Sequence, residues 1–528
     1  MAHTDSDEQH HSAENRLQLQ QQKQEQEHQN DDQTSHTGKD ELDPEEPDLS
    51  DQERQVGVPQ HYEPPYSILT DNEKYFMVFL VSISGIWSTL SSSIYFPALP
   101  ILSQQFDVSP SITNLSVVAY LLFQGIAPSF IAPLADTFGR RPMIIACTFS
   151  YCGVCVGISR VRVYWGLAVL RCVQAAVIAP VIAVSSGIVS DLILRSDRGR
   201  FLGMITGFQL LGQGFGALVG AALVTGFGWR GIFVALAIGS GFAGICNLLL
   251  IPETNRGLVG NQSIPPTRII NTTPILSLPR YRARLTNDLS SKRDPTPIDL
   301  LESYRIFFSQ QVFFTLLPAG LQFSSWTMSL TTLSTSLEAN YGFSVIHIGL
   351  CYLAPGLGTL LGSVASGRVL DYIYRRKKAK YDEVNKDIPK EDRPPFDIFT
   401  TRVQFTVYPT ILAIIFFLIF GWTIQKKVNL SIVLISAFIN SCCVVSYLTA
   451  MTTLLVDLFP SNGSAATGAL NLQRCLLAAA GVGVLQSMVN RIGEGGTYTI
   501  MAGLCFISYL GLLYMIKYQF SNAVNKTN

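Results

Sequence analysis

From Tyr75 onward the chain alternates apolar runs of about 18–28 residues with polar connectors, and ~20 apolar residues suffice to cross the hydrocarbon layer as a helix. Twelve such runs are present: 75–97, 113–133, 142–159, 164–190, 201–223, 231–251, 309–333, 345–366, 404–425, 430–457, 465–489 and 496–517. The pattern predicts an all-α membrane protein of twelve transmembrane helices. The third run is the shortest and carries Ser150 and Ser159, so its ends are the least sharply defined.

The first 70 residues are of another kind. They hold 17 Asp/Glu against four Lys/Arg and a Gln-rich stretch from Gln18 to Asn30. So few apolar residues cannot offset the entropy of ordering, which predicts a disordered acidic tail. The overall neutrality of 38 basic and 38 acidic side chains is therefore a cancellation between an acidic tail and a basic, charge-poor body. A mean hydropathy of +0.28, averaged over that tail, fits a polytopic membrane protein. Scattered basic clusters without a continuous stripe argue against nucleic-acid binding. The polar start shows no apolar core of a cleavable signal.

The connectors supply an orientation, because short cytoplasmic loops retain Lys and Arg. With the N-terminus inside, inner connectors hold 23 basic residues, including Arg140, Arg141, Arg195, Arg198 and Arg200. The outer ones hold six: Arg160, Arg162, Arg230, Lys426, Lys427 and Arg491. Both termini are expected in the cytoplasm. The sequons at Asn261, Asn271, Asn462 and Asn525 then face the cytosol, and those at Asn114 and Asn429 lie too near the membrane to be good acceptors. The ten cysteines all fall in apolar stretches, where Cys behaves as a small hydrophobe. Cys152 and Cys155 have no second pair or nearby His to complete a metal site. No phosphate-binding loop, H-E-x-x-H or G-x-S-x-G pattern is present, so neither ATP-driven pumping nor an enzyme is expected; no cofactor and no metal are implied.

The chain also repeats itself. After the second run it reads Asp136-Thr-Phe-Gly139-Arg140-Arg141, and after the eighth Gly367-Arg368-Val-Leu-Asp371-Tyr-Ile-Tyr-Arg375-Arg376, with the same carboxylate-to-arginine spacing 235 residues later. Ser190-Asp191-Leu192 and Val456-Asp457-Leu458 echo each other at the ends of runs 4 and 10. This predicts two pseudo-symmetric six-helix bundles, 71–251 and 309–520, joined by a central loop at 252–308 and followed by a short tail at 521–528. Transporters built from such repeats place the substrate site between the halves. A carboxylate at the mouth can meet a helix dipole and the Arg cluster, latching one of two rocking states.

These features resemble the major facilitator superfamily, over residues 70 to 520. The first loop copy has Ala132 where the family has its leading Gly; the second has Gly367 but Tyr374 in place of the later Gly. Run 5 carries Gly203, Gly212, Gly216 and Gly220 in a pattern similar to the family's antiporter motif, with Ala217 and Ala221 at its usual Pro and last Gly. Gly212, Gly216 and Gly220 share a helix face that lets another helix approach, and run 8, with Gly349, Gly356, Gly358 and Gly362, is the expected partner. In run 4, Arg171-Cys-Val-Gln174-Ala175 resembles the family's R-x-x-Q-G motif. An intramembrane Arg is costly and normally faces a partner inside the bundle; the resemblance implies that Arg171 acts in proton coupling or holds substrate, with Asp136 and Asp191 as further proton-coupling candidates. Arg474 in run 11 is the other deep base, with Asn471, Gln473 or a distant carboxylate as its partner. No carboxylate lies in the core of run 1, and His347, near the outer mouth of run 8, is expected to be structural or incidental.

Pro252-Glu253-Thr254, Arg198-Gly199, Tyr95-Phe96-Pro97 and Tyr120-x3-Gln124-Gly125 narrow the resemblance to the fungal twelve-span drug:proton antiporters, including the quinidine-resistance group. That implies a multidrug-type exporter of small organic compounds working by alternating access, with a small-molecule substrate, protons and the lipid bilayer as partners, as a monomer. The plasma membrane is the expected location, the vacuolar membrane the alternative. A sugar or nutrient importer and a non-transporting nutrient receptor are the competing readings. Candidate cavity contacts are Trp87, Tyr120, Gln124, Gln174, Gln322, Trp326, Asn440 and Tyr447, whose aromatic faces suit amphipathic or cationic cargo.

Overall fold

A computed structural model describes residues 66–194, 198–274, 283–285, 292, 301–386, 393–394, 396–458 and 463–527. The tail up to residue 65, Arg195, most of the central loop beyond 274 and Asn462 lie outside them, as do the side chains of Ala132, Arg198 and Arg200.

Twelve spans cross the molecule. Helix α1 is Asp71–Ser93, α2 Pro110–Phe138 and α3 Arg140–Ser159; α4 is Tyr164–Leu192. One helical stretch, Arg198–Leu250, breaks at Gly228 (φ 70°, ψ 174°) into α5 (198–227) and α6 (229–250). In the second half α7 is Gln310–Tyr341, α8 Val345–Val384, α9 Ile398–Gln425 and α10 Leu430–Leu458. Gly463–Thr527 breaks at Gly493 (φ 74°, ψ 173°) into α11 (463–492) and α12 (494–527). The two tight reversals occupy matching places in the two halves. Each takes a backbone region that glycine enters at no steric cost and other residues avoid.

The helix starts follow from local chemistry. The Thr70 N–H donates to Glu73 Oε2 at 2.9 Å at the head of α1, and Ser109 accepts from Ile112 N–H ahead of Pro110, the first residue of α2. Asp397 accepts from Thr400 N–H at 2.9 Å to start α9.

Helix α7 is the polar exception among the spans. Its buried face carries Ser324, Ser325, Thr327, Ser329, Thr331 and Thr332, which keeps it below the apolarity of the nine stretches that qualify as membrane-crossing on composition. Many of these hydroxyls bond back within the helix, as Ser325 does to the Leu321 carbonyl (2.9 Å), Thr327 to Phe323 (2.9 Å) and Thr331 to Thr327 (3.0 Å). Such back-bonds help carry a polar helix inside an apolar bundle.

The end at which α1 begins is called here the terminal face, and the opposite end the distal face. The two bundles meet along two seams, α2 with α11 and α5 with α8. At the distal face Ser334 donates to the Phe96 carbonyl (2.8 Å), Gln104 to Glu338 (3.0 Å), and Phe96 stacks on Tyr352 at 6.1 Å between ring centroids.

Candidate functional site

At the terminal face the first repeat folds into a charged clasp. Gly139 ends α2 with φ 110°, so α3 begins at once with Arg140. Arg140 pairs with Asp136 and donates through Nε to Asp191 Oδ2 at the end of α4, 3.2 Å away. Arg141 is buried and donates to the carbonyls of Leu248 (2.6 Å), Ile251 (2.8 Å) and Ile270. It therefore caps the C-terminal end of α6. Glu253 returns the favour at the head of α3: its Oε1 accepts from Arg140 N–H (2.8 Å), Thr254 N–H (3.0 Å) and Asn255 N–H (3.0 Å), and its Oε2 from Arg141 N–H (3.3 Å). Burial pushes the Glu253 carboxyl above the usual carboxylate range, against the downward pull of those four N–H groups. A Cβ on Gly139 would collide with the Glu253 carboxylate, so glycine is required there for space as well as for φ.

The second repeat is built differently. With Tyr374 where the first copy has Gly139, nothing breaks α8, which runs on to Val384. Asp371, Arg375 and Arg376 ride exposed on that extension, and no ion pair joins them to the described residues. The clasp is supplied instead by Arg402, one turn into α9. Its Nε donates to Asp457 Oδ2 at 3.0 Å and its guanidinium lies 4.7 Å from the Tyr374 ring centre. Arg402 with Asp457 thus stands where Arg140 with Asp191 stands in the first half. A Cβ at Gly367 would meet open space. Sequence reasoning missed Arg402 because matched spacing drew attention to Arg375 and Arg376; the missing glycine at Tyr374 was the usable signal. Accordingly, Asp457→Asn should slow transport about tenfold, the worth of one charge-assisted hydrogen bond, whereas Arg375→Ala should leave it near wild type, both scored by cargo flux per unit of protein in the membrane.

The glycine stripe of α5 packs elsewhere than expected. A Cβ on Gly212 would meet Thr89 Oγ1 at 2.6 Å and the Ile86 carbonyl at 3.0 Å, one on Gly216 the Ser93 Cβ at 3.1 Å, and one on Gly220 the Ile94 carbonyl carbon at 3.0 Å. The partner of Gly212, Gly216 and Gly220 is α1, within the same bundle. Helix α8 touches the next face round. Gly349 closes on Ala217 and Ala221, and a Cβ on Gly356 would meet Gly214 backbone atoms at 2.8 and 3.0 Å. Ala217 and Ala221, the two departures from the antiporter pattern, are therefore the positions over which α8 passes. Toward the terminal face a Cβ on Gly207 would meet nothing within 4 Å, and Gly358 and Gly362 turn to α10. Gly203 lies on α5 toward the terminal face.

Among the described residues, two guanidiniums lie deep within the spans, away from both faces. Arg171, 2% exposed, donates to Gln174 Oε1 (2.7 Å) and the Ser91 carbonyl (3.3 Å). It is sandwiched by the rings of Tyr95 and Tyr120 at 4.2 and 4.1 Å. No carboxylate touches it among the described residues, and its Nε has no partner. Arg474 donates to Asn471 Oδ1 from Nε (3.1 Å) and Nη2 (2.9 Å) and lies 5.0 Å from the Phe323 ring centre. Asn471 in turn donates to the Gln124 carbonyl across the α2–α11 seam (3.0 Å). Of the partners open to Arg474, Asn471 is the one it takes.

The remaining cavity candidates divide. Tyr120 and Gln174 are engaged with Arg171, and the Tyr120 hydroxyl donates to the Ser88 carbonyl (2.9 Å). Gln322 donates to Thr410 (3.1 Å) and Trp326 to Ser441 (2.8 Å). Gln322 Oε1, both side-chain polar atoms of Asn440 and the Tyr447 hydroxyl are buried with no partner, which leaves hydrogen-bonding capacity unspent in the second bundle. Trp87 lies in the first bundle: its indole rests against Gly239 of α6, and its Nε1 is likewise buried without a partner. The aromatic faces expected to meet cationic cargo are in part taken, since Tyr95 and Tyr120 cover Arg171 and Phe323 faces Arg474. His347 sits exposed at the distal end of α8 beside Ser344 (2.7 Å).

Twelve helices in two repeating bundles, with charged clasps at one face and unpaired polar groups between the spans, are the architecture of a membrane carrier. The profile described as the Major Facilitator Superfamily matches residues 81–381, and the chain belongs to that family. Among its relatives are the "MFS antiporter QDR2" of Candida albicans, 48% identical and covering 87% of this chain and 92% of that one. The "Probable transporter AQR1" of Saccharomyces cerevisiae is 38% identical over 92% of this chain and 82% of its own. Of solved structures, the xylose transporter XylE from E. coli in a partially occluded inward-open conformation shares the fold at a TM-score of 0.59 and 13% identity. It covers 84% of this chain and 98% of its own. The human organic anion transporter MFSD10 does so at a TM-score of 0.52 and 18% identity, covering 85% and 100%.

Proposed function

We propose that this protein exports small organic compounds in exchange for protons by alternating access, as the name antiporter of its 48%-identical relative implies for that protein. The observation that supports the reading is the α5–α8 seam: Gly349 and Gly356 of α8 pack closely on Ala217, Ala221 and Gly214 in its distal half, while toward the terminal face Gly207 has open space around it. Such a seam is what two bundles rocking about a central site require. The basic connectors favour a cytoplasmic terminal face with both termini inside, and on that reading cargo loads from the cell. The plasma membrane is the location that suits export.

Among the described residues, two guanidiniums and no carboxylate lie deep between the spans, which favours neutral or anionic cargo over cations. The unspent groups of Gln322, Asn440 and Tyr447 offer it hydrogen bonds. Asp191, enclosed by Arg140 and with its own carbonyl taken by Arg256 (2.9 Å), is the better-sheltered proton carrier, and Asp136, half exposed, the more accessible one. Efflux from preloaded cells should fall to the passive leak when a protonophore collapses the gradient. Efflux that persists unchanged would exclude proton exchange.

A further inference from the structure

An open groove of about 370 Å³ lies between α9 and α10, lined by Phe405, Tyr408, Pro409, Leu412, Cys443 and Ser446. It plays no part in the transport reading above. Tyr408 is 77% and Leu412 44% exposed. On a spanning helix such residues face lipid rather than water, so the groove's occupant comes from the bilayer.

Its walls are almost wholly apolar, with one built-in exception. Pro409 has no N–H, so the Phe405 carbonyl one turn earlier lacks its ladder partner. That acceptor also sits at a telling depth. Arg402, paired with Asp457, marks the polar boundary of α9. At 1.5 Å per residue Phe405 lies about 4.5 Å below it and Leu412 about 15 Å below. The groove thus has a free acceptor near the interface and apolar walls running inward from it.

We propose that this groove binds a membrane sterol, its 3β-hydroxyl donating to the Phe405 carbonyl and its ring system lying along Pro409 and Leu412. At the depth of the acyl esters a glycerophospholipid presents carbonyl acceptors to that acceptor, whereas a sterol presents a hydroxyl donor followed by a rigid apolar body. Read from Leu412 back through Tyr408 to Arg402, the sequence also matches the aliphatic–Tyr–basic spacing associated with sterol contact.

The test uses the full chain in phosphatidylcholine vesicles with a trace of a diazirine-bearing 3β-hydroxysterol, irradiated, digested and mapped by mass spectrometry. The expected result is a labelled peptide within 398–458, competed by unlabelled 3β-sterol and about fivefold less well by its 3α epimer, the worth of one net hydrogen bond. Leu412→Trp, which fills the groove from its exposed rim, should abolish that label. Pro409→Ala, which restores an N–H to the Phe405 carbonyl, should weaken it about as much as epimerisation weakens competition. Label spread evenly over lipid-facing helices, or equal competition by the epimer, would overturn the proposal. Should either variant fail to insert, the epimer comparison on the unmodified chain decides.

Discussion

Arg171→Ala should cut efflux about a hundredfold while leaving the amount of protein in the membrane unchanged. The guanidinium is desolvated between two tyrosine rings, and such contacts are worth about 2 kcal/mol or more when dry; about 2.7 kcal/mol in the transport barrier is two decades of rate. The fold survives because no carboxylate is left uncompensated: Arg171's partners are an amide, a carbonyl and two rings. Arg171→Lys should recover only part of the rate, since an ammonium cannot lie flat between both rings. Arg140→Ala is the contrast. It strips the partner from Asp136 and Asp191 together, and breaking a sheltered ion pair from one side is strongly destabilising, so membrane content itself should drop. Initial efflux rates normalised to immunoblotted protein separate the two outcomes.

Gly356→Val should hold the distal seam open. The new Cβ would meet Gly214 backbone atoms at 2.8 and 3.0 Å, and backbone yields little. Overpacking of this kind costs about 1–3 kcal/mol, a shift of about 5- to 150-fold between two states. The clash lies between bundles and not within one, so insertion should proceed. A cysteine introduced at Ala217, which is buried under α8 at this seam, is the reporter. Its modification by a membrane-impermeant thiol reagent applied from the distal side, followed on the peptide that carries it, should be slow in the otherwise wild-type chain and at least about fivefold faster with Gly356→Val. Export should fall in parallel.

How much of this was legible in the sequence depends on the range over which a signal acts. The twelve spans were readable because lipid imposes a length and an apolarity on every crossing, and α7 survived that reading although its buried hydroxyls dilute the pattern. The glycine face of α5 was readable as a face, since positions 212, 216 and 220 recur at helical spacing. Its neighbour was not, because periodicity says which residues share a face and nothing of which helix lies opposite; α1 took the place expected of α8. Arg171 stood out by its cost in hydrocarbon, but Tyr95 and Tyr120 come from other parts of the chain and leave no local trace beside it. The second clasp was hidden by the long α8–α9 connection, which moved the working arginine from the loop copy to Arg402, while Tyr374 let the helix carry Asp371, Arg375 and Arg376 away from the mouth.

The claim at the centre of the account is that the two bundles rock as bodies about the site between them. Pulsed electron–electron distance measurements on the full chain in nanodiscs test it most directly, with one spin-label pair across the distal ends of α5 and α8 and a second across their terminal-face halves. Adding cargo and stepping the pH should lengthen one distance distribution while shortening the other, in the same sample. Two distributions that stay fixed, or that widen and narrow together, would contradict it.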